Sequence, residues 1–253
     1  MLVFRYDKTF EGLLTCLFEA YVRKRFPEKL IDEGEPAPMF AEEVAEIVTD
    51  KEKAERVWAG MERKLHKSMR NMLMHVWLSE EEGGDELLLR YMRKVFDSPC
   101  MPDTDFADPY ILLAHQVARR VEKEKSYVIQ FARFQKAGDD TYFAAVAPAC
   151  NALPLAIEYF INRFRDQKWL VYDIRRKYGY YYDLEEVTEI SMLEEHSFPG
   201  GKLDEKMMAQ DEKIFQDMWK SYFRAMSIKE RVNPKLHRRN MPRRFWKYLT
   251  EKQ

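Results

Sequence analysis

The chain has 253 residues, of which 46% are hydrophobic and 34% are charged. This length is typical of one large domain or two closely associated ones. The 42 basic and 43 acidic residues cancel to a formal net charge of −1, so only the distribution of charge along the chain can indicate a partner. No apolar stretch approaches the ~20 residues needed to cross a bilayer, and the first residues lack the regions of a secretory signal.

The sequence also lacks the motifs of several enzyme classes. No phosphate-binding loop, dinucleotide fingerprint, zinc-hydrolase, serine-hydrolase or deaminase motif occurs. The cysteines, Cys16, Cys100 and Cys150, are widely spaced and fit a reducing compartment. We therefore expect a cytoplasmic protein without membrane association, metal site or bound cofactor. The sequence names no reaction.

The beginning of the chain is predicted to be mainly helical. Residues 2–6 form a short edge strand, and Asp7 is placed to cap a helix. Apolar residues at spacings of three and four then give a stripe between Phe10 and Tyr21. Prolines between 27 and 38 end this element.

Further helices are predicted up to residue 125. Thr49 and Glu52 have capping-box spacing, and the helical pattern after them extends toward Ser79. Gly83 and Gly84 interrupt it before another apolar stripe at 87–96, which a loop at 98–103 follows. The next helix begins at Asp108-Pro109, because proline is tolerated at the first helical position.

The pattern changes near Ser126 to runs rich in β-branched and aromatic residues. Segments 126–134 and 141–148 predict a hairpin around a turn at 137–140. After a helix at 154–164, segments 169–174 and 178–183 predict a second hairpin, which Val187 and Ile190 extend before the glycines at 200–201. A final long helix carries the stripe from Phe215 to Met226 across or beside the sheet.

These patterns together predict an α+β fold. Its helical N-terminal region, 1–125, packs with region 126–253, which holds a small antiparallel sheet of two hairpins and the long C-terminal helix. We expect the two regions to form one compact unit. Asp173 follows an apolar strand and is a candidate catalytic residue at the sheet edge, but such residues more often bond their own turn.

Charge is distributed unevenly along the chain. Residues 28–55 contain ten acidic residues against three lysines, whereas residues 220–253 contain eleven basic residues against two glutamates. Basic side chains attract phosphate because each neutralised phosphate releases counterions, and interleaved aromatic rings can stack on unpaired bases. The pattern suits nucleic-acid binding without deciding for it. The candidate contacts are Arg163, Lys168, Trp169, Arg175, Arg176, Lys177, Tyr178, Lys220, Arg224, Arg231, Asn233, Arg238, Arg239, Arg243, Arg244 and Trp246.

Simpler interpretations of the same residues stay open. The basic side chains can coat a solvated face or pair with an acidic protein partner, including the chain's own segment 28–55. The aromatic residues at helical spacing can belong to the core. Met241-Pro242 predicts a turn between the four C-terminal arginines, since proline disfavours helix at the residue before it.

Three segments of the sequence resemble a known family. They are YDKTFEGLLTCLFEAY at 6–21, DQKWLVYDIRRKYGYYYD at 166–183 and MWKSYFRAMSIKERVNPKLHRRNMPRRFWKYLTE at 218–251. They are similar to a bacterial family of unknown function that is assigned to DNA metabolism. Its members are encoded beside a radical-SAM protein assigned to DNA repair, and some are fused to a uracil-DNA glycosylase domain.

The resemblance implies a nucleic-acid-binding accessory protein that acts with a radical-SAM partner. The matching positions are Asp173, Arg175, Tyr178, Trp219, Lys220, Arg231, Asn233, Met241, Pro242, Arg244 and Trp246, and the family assigns them no role. No water-activating glycosylase motif is visible, so base excision is not expected. The alternatives are a protein adaptor without nucleic-acid contact, and an unrecognised hydrolase or lyase acting on a damaged base or nucleotide.

Overall fold

The computed structural model describes residues 1–98, 106–191, 203, 206–228 and 231–252. The chain divides into two compact units, unit 1 (Met1–Glu122) and unit 2 (Lys123–Gln253). Helices and sheets occur in both, which confirms the α+β class. The predicted glycine turn at 200–201 lies outside the described residues, as does the predicted loop at 98–103 apart from Ser98.

Unit 1 is built on a parallel sheet that the sequence did not predict. Strand β1 (Leu2–Tyr6) lies at its centre, between β2 (Lys29–Asp32) and β3 (Glu43–Glu46). The prediction of β1 as an edge strand was therefore wrong. The acidic composition of 28–55 concealed β2 and β3, because these strands bury only Leu30, Ile31 and Ala45.

The helices of unit 1 bury one face each. They are α1 (Phe10–Arg23), α2 (Lys51–Lys64), α3 (Lys67–Leu78), α4 (Gly84–Asp97) and the first part of α5 (Pro109–Phe131). Their apolar stripes and the sheet form a single core. The predicted helix from Thr49 toward Ser79 is thus two helices, with a break at residues 65–66.

The residues predicted to cap α1 and α2, Asp7 and Thr49, are not the N-caps of these helices. The two side chains are joined in one hydrogen-bond network. Thr9 caps α1 by accepting the Gly12 N–H at 2.9 Å, and Asp50 caps α2. Asp7 instead accepts hydrogen bonds from the hydroxyls of Thr9 and Thr49, at 2.7 and 2.8 Å. Both residues that the sequence placed at caps therefore stabilise the loops before the helices. The start of α5 was correct, since Asp108 accepts the Tyr110 N–H at 2.8 Å.

Unit 2 contains a five-stranded mixed sheet in the order β4-β5-β6-β7-β8. The strands are β4 (Gln135–Lys136), β5 (Tyr142–Val146), β6 (Trp169–Asp173), β7 (Tyr178–Tyr182) and β8 (Val187–Ser191). Helix α6 (Leu153–Arg163) returns the chain, so β5 and β6 are parallel, whereas every other pair is antiparallel. The prediction of a purely antiparallel sheet was wrong at this one crossover.

The predicted first hairpin was also wrong in part. Residues 126–131 are the last turns of α5, and only Gln135–Lys136 pairs with β5. Tyr127 and Phe131 pack against Phe245, while Val128 faces the sheet core. Because this helix is buried on two sides, its apolar run resembles a strand in sequence. The second hairpin and its extension by β8 match the prediction.

The chain ends in helix α7 (Glu212–Met226), helix α8 (Pro234–Asn240) and two 3-10 turns, Arg243–Tyr248 and Thr250–Lys252. The segment before α7 pairs with the β4 edge, where Ala209 donates to the Lys136 carbonyl at 2.9 Å. The prediction of one final long helix was inaccurate. Helix α7 has 15 residues, and most of its apolar side chains are exposed.

Candidate nucleic-acid interface

Asp173 ends β6 at the carboxyl edge of the two parallel strands. Its side chain is fully buried and accepts the backbone N–H groups of Arg175 and Arg176, at 2.9 and 3.2 Å. The Arg176 guanidinium adds a third hydrogen bond at 2.9 Å. Burial raises the pKa of Asp173, although these hydrogen bonds act in the opposite direction. The carboxylate bonds its own turn, and its surroundings give it no open face for catalysis.

The two arginines of this turn hold the loop that follows β5. Arg175 Nη1 donates to the Ala149 carbonyl at 2.9 Å, and Arg176 Nη1 donates to the Pro148 carbonyl at 3.3 Å. The Tyr178 hydroxyl bonds to the side-chain oxygen of Asn151, and burial raises the pKa of Tyr178. These three predicted contacts thus have structural roles, and only Arg175 is exposed among them.

Arg244 reaches the same loop from the C-terminal segment. Its Nη2 bonds to Glu124 Oε1, and Glu124 Oε2 accepts the Ala149 N–H at 2.9 Å. The peptide of Ala149 is therefore held on both sides, by Glu124 at its N–H and by Arg175 at its carbonyl. The structure thus brings Arg175, Arg176 and Arg244 together around one loop, although they lie far apart in sequence.

The remaining candidates of the first basic cluster are separate from this loop. Trp169 is fully buried and packs on Phe160 and Tyr182, so we assign it to the core and not to the interface. Arg163 is exposed at the end of α6. Lys168 is exposed directly before β6, whose length places it about 13 Å from the carboxyl edge. Lys177 is exposed in the turn itself.

The C-terminal segment displays a denser set of cations, which we call the α8 surface. Lys235, Arg238 and Arg239 have the i, i+3, i+4 spacing of one helix face, and all three are exposed. Arg231 before α8 and Arg243 after it are also exposed. Among the residues that the structure describes, no carboxylate lies within 4.0 Å of any of these five cations.

The other predicted contacts near α8 are Asn233, Lys220 and Arg224, and the first two already have a partner within the protein. Asn233 caps α8 by accepting the Leu236 N–H at 3.0 Å. Lys220 lies 4.0 Å from Asp217 on α7, and Arg224 is exposed on the same helix. Helix α8 ends before Met241 and Pro242, so the predicted break between the arginines is present.

Trp246 is half-buried and held in place. Its indole N–H donates to the Met241 carbonyl at 3.0 Å, and the ring lies 5.7 Å from that of His237. The cations of Arg243 and Lys252 lie 5.8 and 5.3 Å from the ring centroid. The neighbouring Phe245 is buried, which assigns the anchoring role to it. The remaining exposed part of Trp246 is available for stacking beside two cations.

A groove that the sequence did not predict lies between β4, β5 and α7. It has a volume of about 550 Å³ and contains Arg133, Phe134, Lys136, Tyr142, Glu212, Phe215, Gln216, Trp219 and Thr250. Four of these side chains are aromatic, and Phe215 and Trp219 are 57% and 41% exposed. The sequence placed Phe215 and Trp219 on one helical stripe and counted Trp219 among the rings interleaved with cations, but it did not indicate a groove beside β4 and β5.

The acidic segment 28–55 forms ion pairs within unit 1. Glu43 pairs with Arg25 at 2.5 Å, Glu42 with the N-terminus at 3.1 Å and Glu46 with Arg5 at 3.5 Å. These pairs are exposed, so each contributes little to stability. They do account for part of the acidic charge that the sequence assigned to a partner.

Two features are absent from residues 1–98, 106–191, 203, 206–228 and 231–252. No helix within them is long and apolar enough to cross a membrane. They also contain no group of three or more His, Cys, Asp or Glu side chains arranged to hold a metal ion.

The observations define an α+β protein whose second unit combines a mixed sheet, an arginine-rich C-terminal surface and an aromatic groove. The chain belongs to the family described as a domain of unknown function, DUF4130, whose model matches residues 82–251. This agrees with the expected membership of a family of unknown function. The radical-SAM neighbour and the glycosylase fusion stay predictions from the resemblance.

Other comparisons add little. No curated protein matches the sequence significantly. Among solved structures, a pGpG-specific phosphodiesterase, PggH from Vibrio cholerae, is similar over 89% of this chain and 99% of that chain, with 10% sequence identity and a TM-score of 0.31. A likeness at this TM-score carries no argument about fold or activity.

Proposed function

We propose that this protein binds nucleic acid through the α8 surface and acts as an accessory protein of DNA metabolism. The supporting observation is that the five exposed cations of this surface have no carboxylate partner among the described residues. Residues 231–250 contain no Asp or Glu at all. Like charges at such spacing repel one another, and a polyanion converts this repulsion into binding free energy.

Many cations elsewhere in the chain are neutralised locally. Arg133 pairs with Glu251 at 2.8 Å, Arg120 with Glu81 at 2.6 Å and Arg176 with Asp173 at 2.9 Å. The cations of the α8 surface have no such carboxylate partner among the described residues, so their charge is available to bind phosphate. Arginine suits such a surface because its guanidinium can bond two phosphate oxygens at once.

The deciding experiment removes three charges from α8. The triple variant Lys235→Ala, Arg238→Ala, Arg239→Ala should bind duplex and single-stranded DNA more weakly. The slope of log K against log salt should flatten by up to about 2.7 on duplex and about 2.1 on single strands, if each cation contacts one phosphate. Binding is measured by fluorescence anisotropy across a salt series, with RNA as a parallel ligand.

The matched control is a variant in which three exposed basic residues of unit 1 are replaced by alanine. Arg63, Lys67 and Arg119 are exposed, and their joint replacement by alanine changes the net charge equally. This control should keep the wild-type slope. Equal slopes for the wild type and the α8 variant would remove the α8 surface from the proposal.

Arg243 and Arg244 are expected to differ, although they are adjacent. Arg244 pairs with Glu124, whereas the Arg243 guanidinium lies over the Trp246 ring and has no carboxylate within 4.0 Å among the described residues. Arg243→Ala should therefore flatten the salt slope by up to about 0.9 on duplex. Arg244→Ala should mainly lower stability.

The role in DNA metabolism and the radical-SAM partner rest on the family resemblance. Co-purification with a radical-SAM protein of the kind encoded beside members of the resembled family, under anaerobic low-salt conditions, tests the partnership. Low salt is favourable because exposed charges are screened beyond about 10 Å at 0.1 M. Failure to co-purify would contradict the proposed partner. It would not affect the nucleic-acid proposal, which the α8 variant tests independently.

A protein adaptor is the second candidate, and the exposed face of α7 favours it. Ile214, Met218, Tyr222 and Met226 are each more than half exposed on this one helix. Apolar side chains that cluster on a surface in this way commonly mark a protein contact. An α7 variant that loses a protein partner while its DNA affinity is unchanged would support this alternative.

A further inference from the structure

The groove between β4, β5 and α7 has the composition of a site for a flat, aromatic ligand. Its rings are Phe134, Tyr142, Phe215 and Trp219, and its polar side chains include Gln216. We propose that this groove binds one unpaired nucleobase of a single strand whose phosphates lie on the α8 surface. The inference rests on the proposed function and adds the kind of nucleic acid that it recognises.

Trp219 is held as a rigid stacking surface. Its indole N–H donates to Glu251 Oε2 at 3.0 Å, and the Glu251 side chain is only 1% exposed. Arg133 holds that carboxylate with two hydrogen bonds, at 2.8 and 3.3 Å. The ring nevertheless stays 41% exposed. A fixed and exposed ring loses little conformational entropy when a base stacks on it.

Gln216 supplies an acceptor of defined orientation. Its side-chain NH₂ donates to Glu212 Oε1 at 2.9 Å, and Glu212 Oε2 accepts the Lys136 backbone N–H at 2.9 Å. A carboxylate accepts only, so the nitrogen of the Gln216 amide must face Glu212. The amide oxygen is then available to the exocyclic amino group of adenine or cytosine, which thymine lacks.

Lys252 connects the groove to the α8 surface. It follows Glu251 directly, and its ammonium lies 5.2 Å from the Phe223 ring and 5.3 Å from the Trp246 ring. Phe223 is one turn beyond Trp219 on α7, about 6 Å along the helix axis. A second groove of about 580 Å³ begins here and contains Phe223, Lys252, Arg231 and His237.

This continuity favours a nucleic acid over an apolar peptide as the occupant. Aromatic surfaces, an oriented amide and a route lined by cations match a base with its attached phosphates. A peptide side chain would use the rings but leave the amide oxygen of Gln216 and the cations of Lys252 and Arg231 without a role. A groove that takes a peptide side chain in place of a base would show equal affinity for the oligonucleotides with and without bases in the following experiment.

The test compares single-stranded oligo-dA with an abasic sugar-phosphate chain of the same length. The wild type should bind oligo-dA roughly 5- to 150-fold more tightly, which corresponds to one stacked base. Trp219→Ala should bind oligo-dA and the abasic chain equally, whereas Trp219→Phe should retain most of the preference for oligo-dA. Gln216→Ala should reduce the preference for oligo-dA over oligo-dT. Met218→Ala is the matched control, because Met218 is exposed on the same helix but does not line the groove.

The outcomes separate this inference from the proposed function. Equal binding of oligo-dA and the abasic chain, with the loss of affinity in the α8 variant preserved, would overturn the base site alone. No binding of either single strand would overturn the base site, and no binding of duplex DNA as well would overturn both proposals. If Trp219→Ala does not fold, tryptophan fluorescence provides the test. Oligo-dA should quench the fluorescence of the wild type more than that of Trp219→Phe. Equal quenching of the two proteins would reject the site.

Discussion

Arg244 and Glu124 form an ion pair across 120 residues of sequence within unit 2. The same carboxylate accepts the Ala149 N–H, so it joins helix α5, the C-terminal segment and the loop after β5. Glu124 is 11% exposed and Arg244 is 42% exposed. The bond therefore anchors the end of the arginine-rich segment, residues 231–244, to the unit.

Removal of Glu124 should loosen this junction. Glu124→Ala leaves the Ala149 N–H and the Arg244 guanidinium without their shared acceptor. We expect the free energy of unfolding to fall by about 0.5–1.5 kcal/mol, the usual net contribution of a hydrogen bond, because Ala149 and Arg244 are both exposed and water can replace part of the lost contact. Urea denaturation followed by circular dichroism measures the change.

The control for this prediction is Glu158→Ala. Glu158 is an exposed carboxylate on α6, so its loss should alter the free energy of unfolding by no more than about 0.5 kcal/mol. A Glu124 variant as stable as this control would show that the junction does not contribute to the fold.

The Glu251 carboxylate should make stability depend on pH. Burial raises its pKa, but the hydrogen bonds from Arg133, the backbone and Trp219 outweigh that effect and lower the pKa below the usual 4.5. A lowered pKa in the folded state stabilises the protein above the unfolded value, and this contribution is lost as pH falls through the folded value.

Glu251→Gln removes this contribution. At neutral pH the variant should be less stable than the wild type by about 1.5–3 kcal/mol, as for hydrogen bonds to a charged group. Urea titrations over a series of pH values should show this difference constant above about 4.5 and shrinking below it. A difference that stays constant into acid would contradict the assigned pKa shift.

Gly179 is required by close packing in the centre of the hairpin. A Cβ at this position would lie 2.5 Å from the Val171 carbonyl oxygen and 2.9 Å from the Tyr172 ring. The obstacle includes strand backbone, which cannot move without breaking the pairing of β6 and β7. Gly179→Ala should therefore lower the free energy of unfolding by about 1–3 kcal/mol.

Gly34→Ala provides the comparison in thermal melts. Nothing lies within 4 Å of a Cβ built on Gly34, so this variant should melt close to the wild type. If both glycine variants melt together, the close approach of the two strands is not a constraint on the fold.

The sequence determined the elements whose signals are local. The second hairpin follows from the aromatic and β-branched runs of β6 and β7 and from the short turn at residues 174–177. Helices α4 and α6 follow from apolar spacing, and the start of α5 follows from Asp108-Pro109. In each case the residues that decide the structure lie within a few positions of one another.

Contacts between distant segments decided the rest. Residues 126–131 became helix because Phe245 covers one side of it and the sheet core the other. Strands β2 and β3 exist because β1 pairs with both of them, which their acidic composition did not reveal.

The same division applies to the interface. The sequence located the basic residues of α8 through composition alone, since charge density is a local property. Only the tertiary structure showed that Arg176 and Arg244 are committed to Asp173 and Glu124, and that Trp169 is buried. The exposed cations of the α8 surface, which have no carboxylate partner among the described residues, and the aromatic groove are what remains after those long-range contacts have formed. The spacing of residues along the sequence does not contain that information.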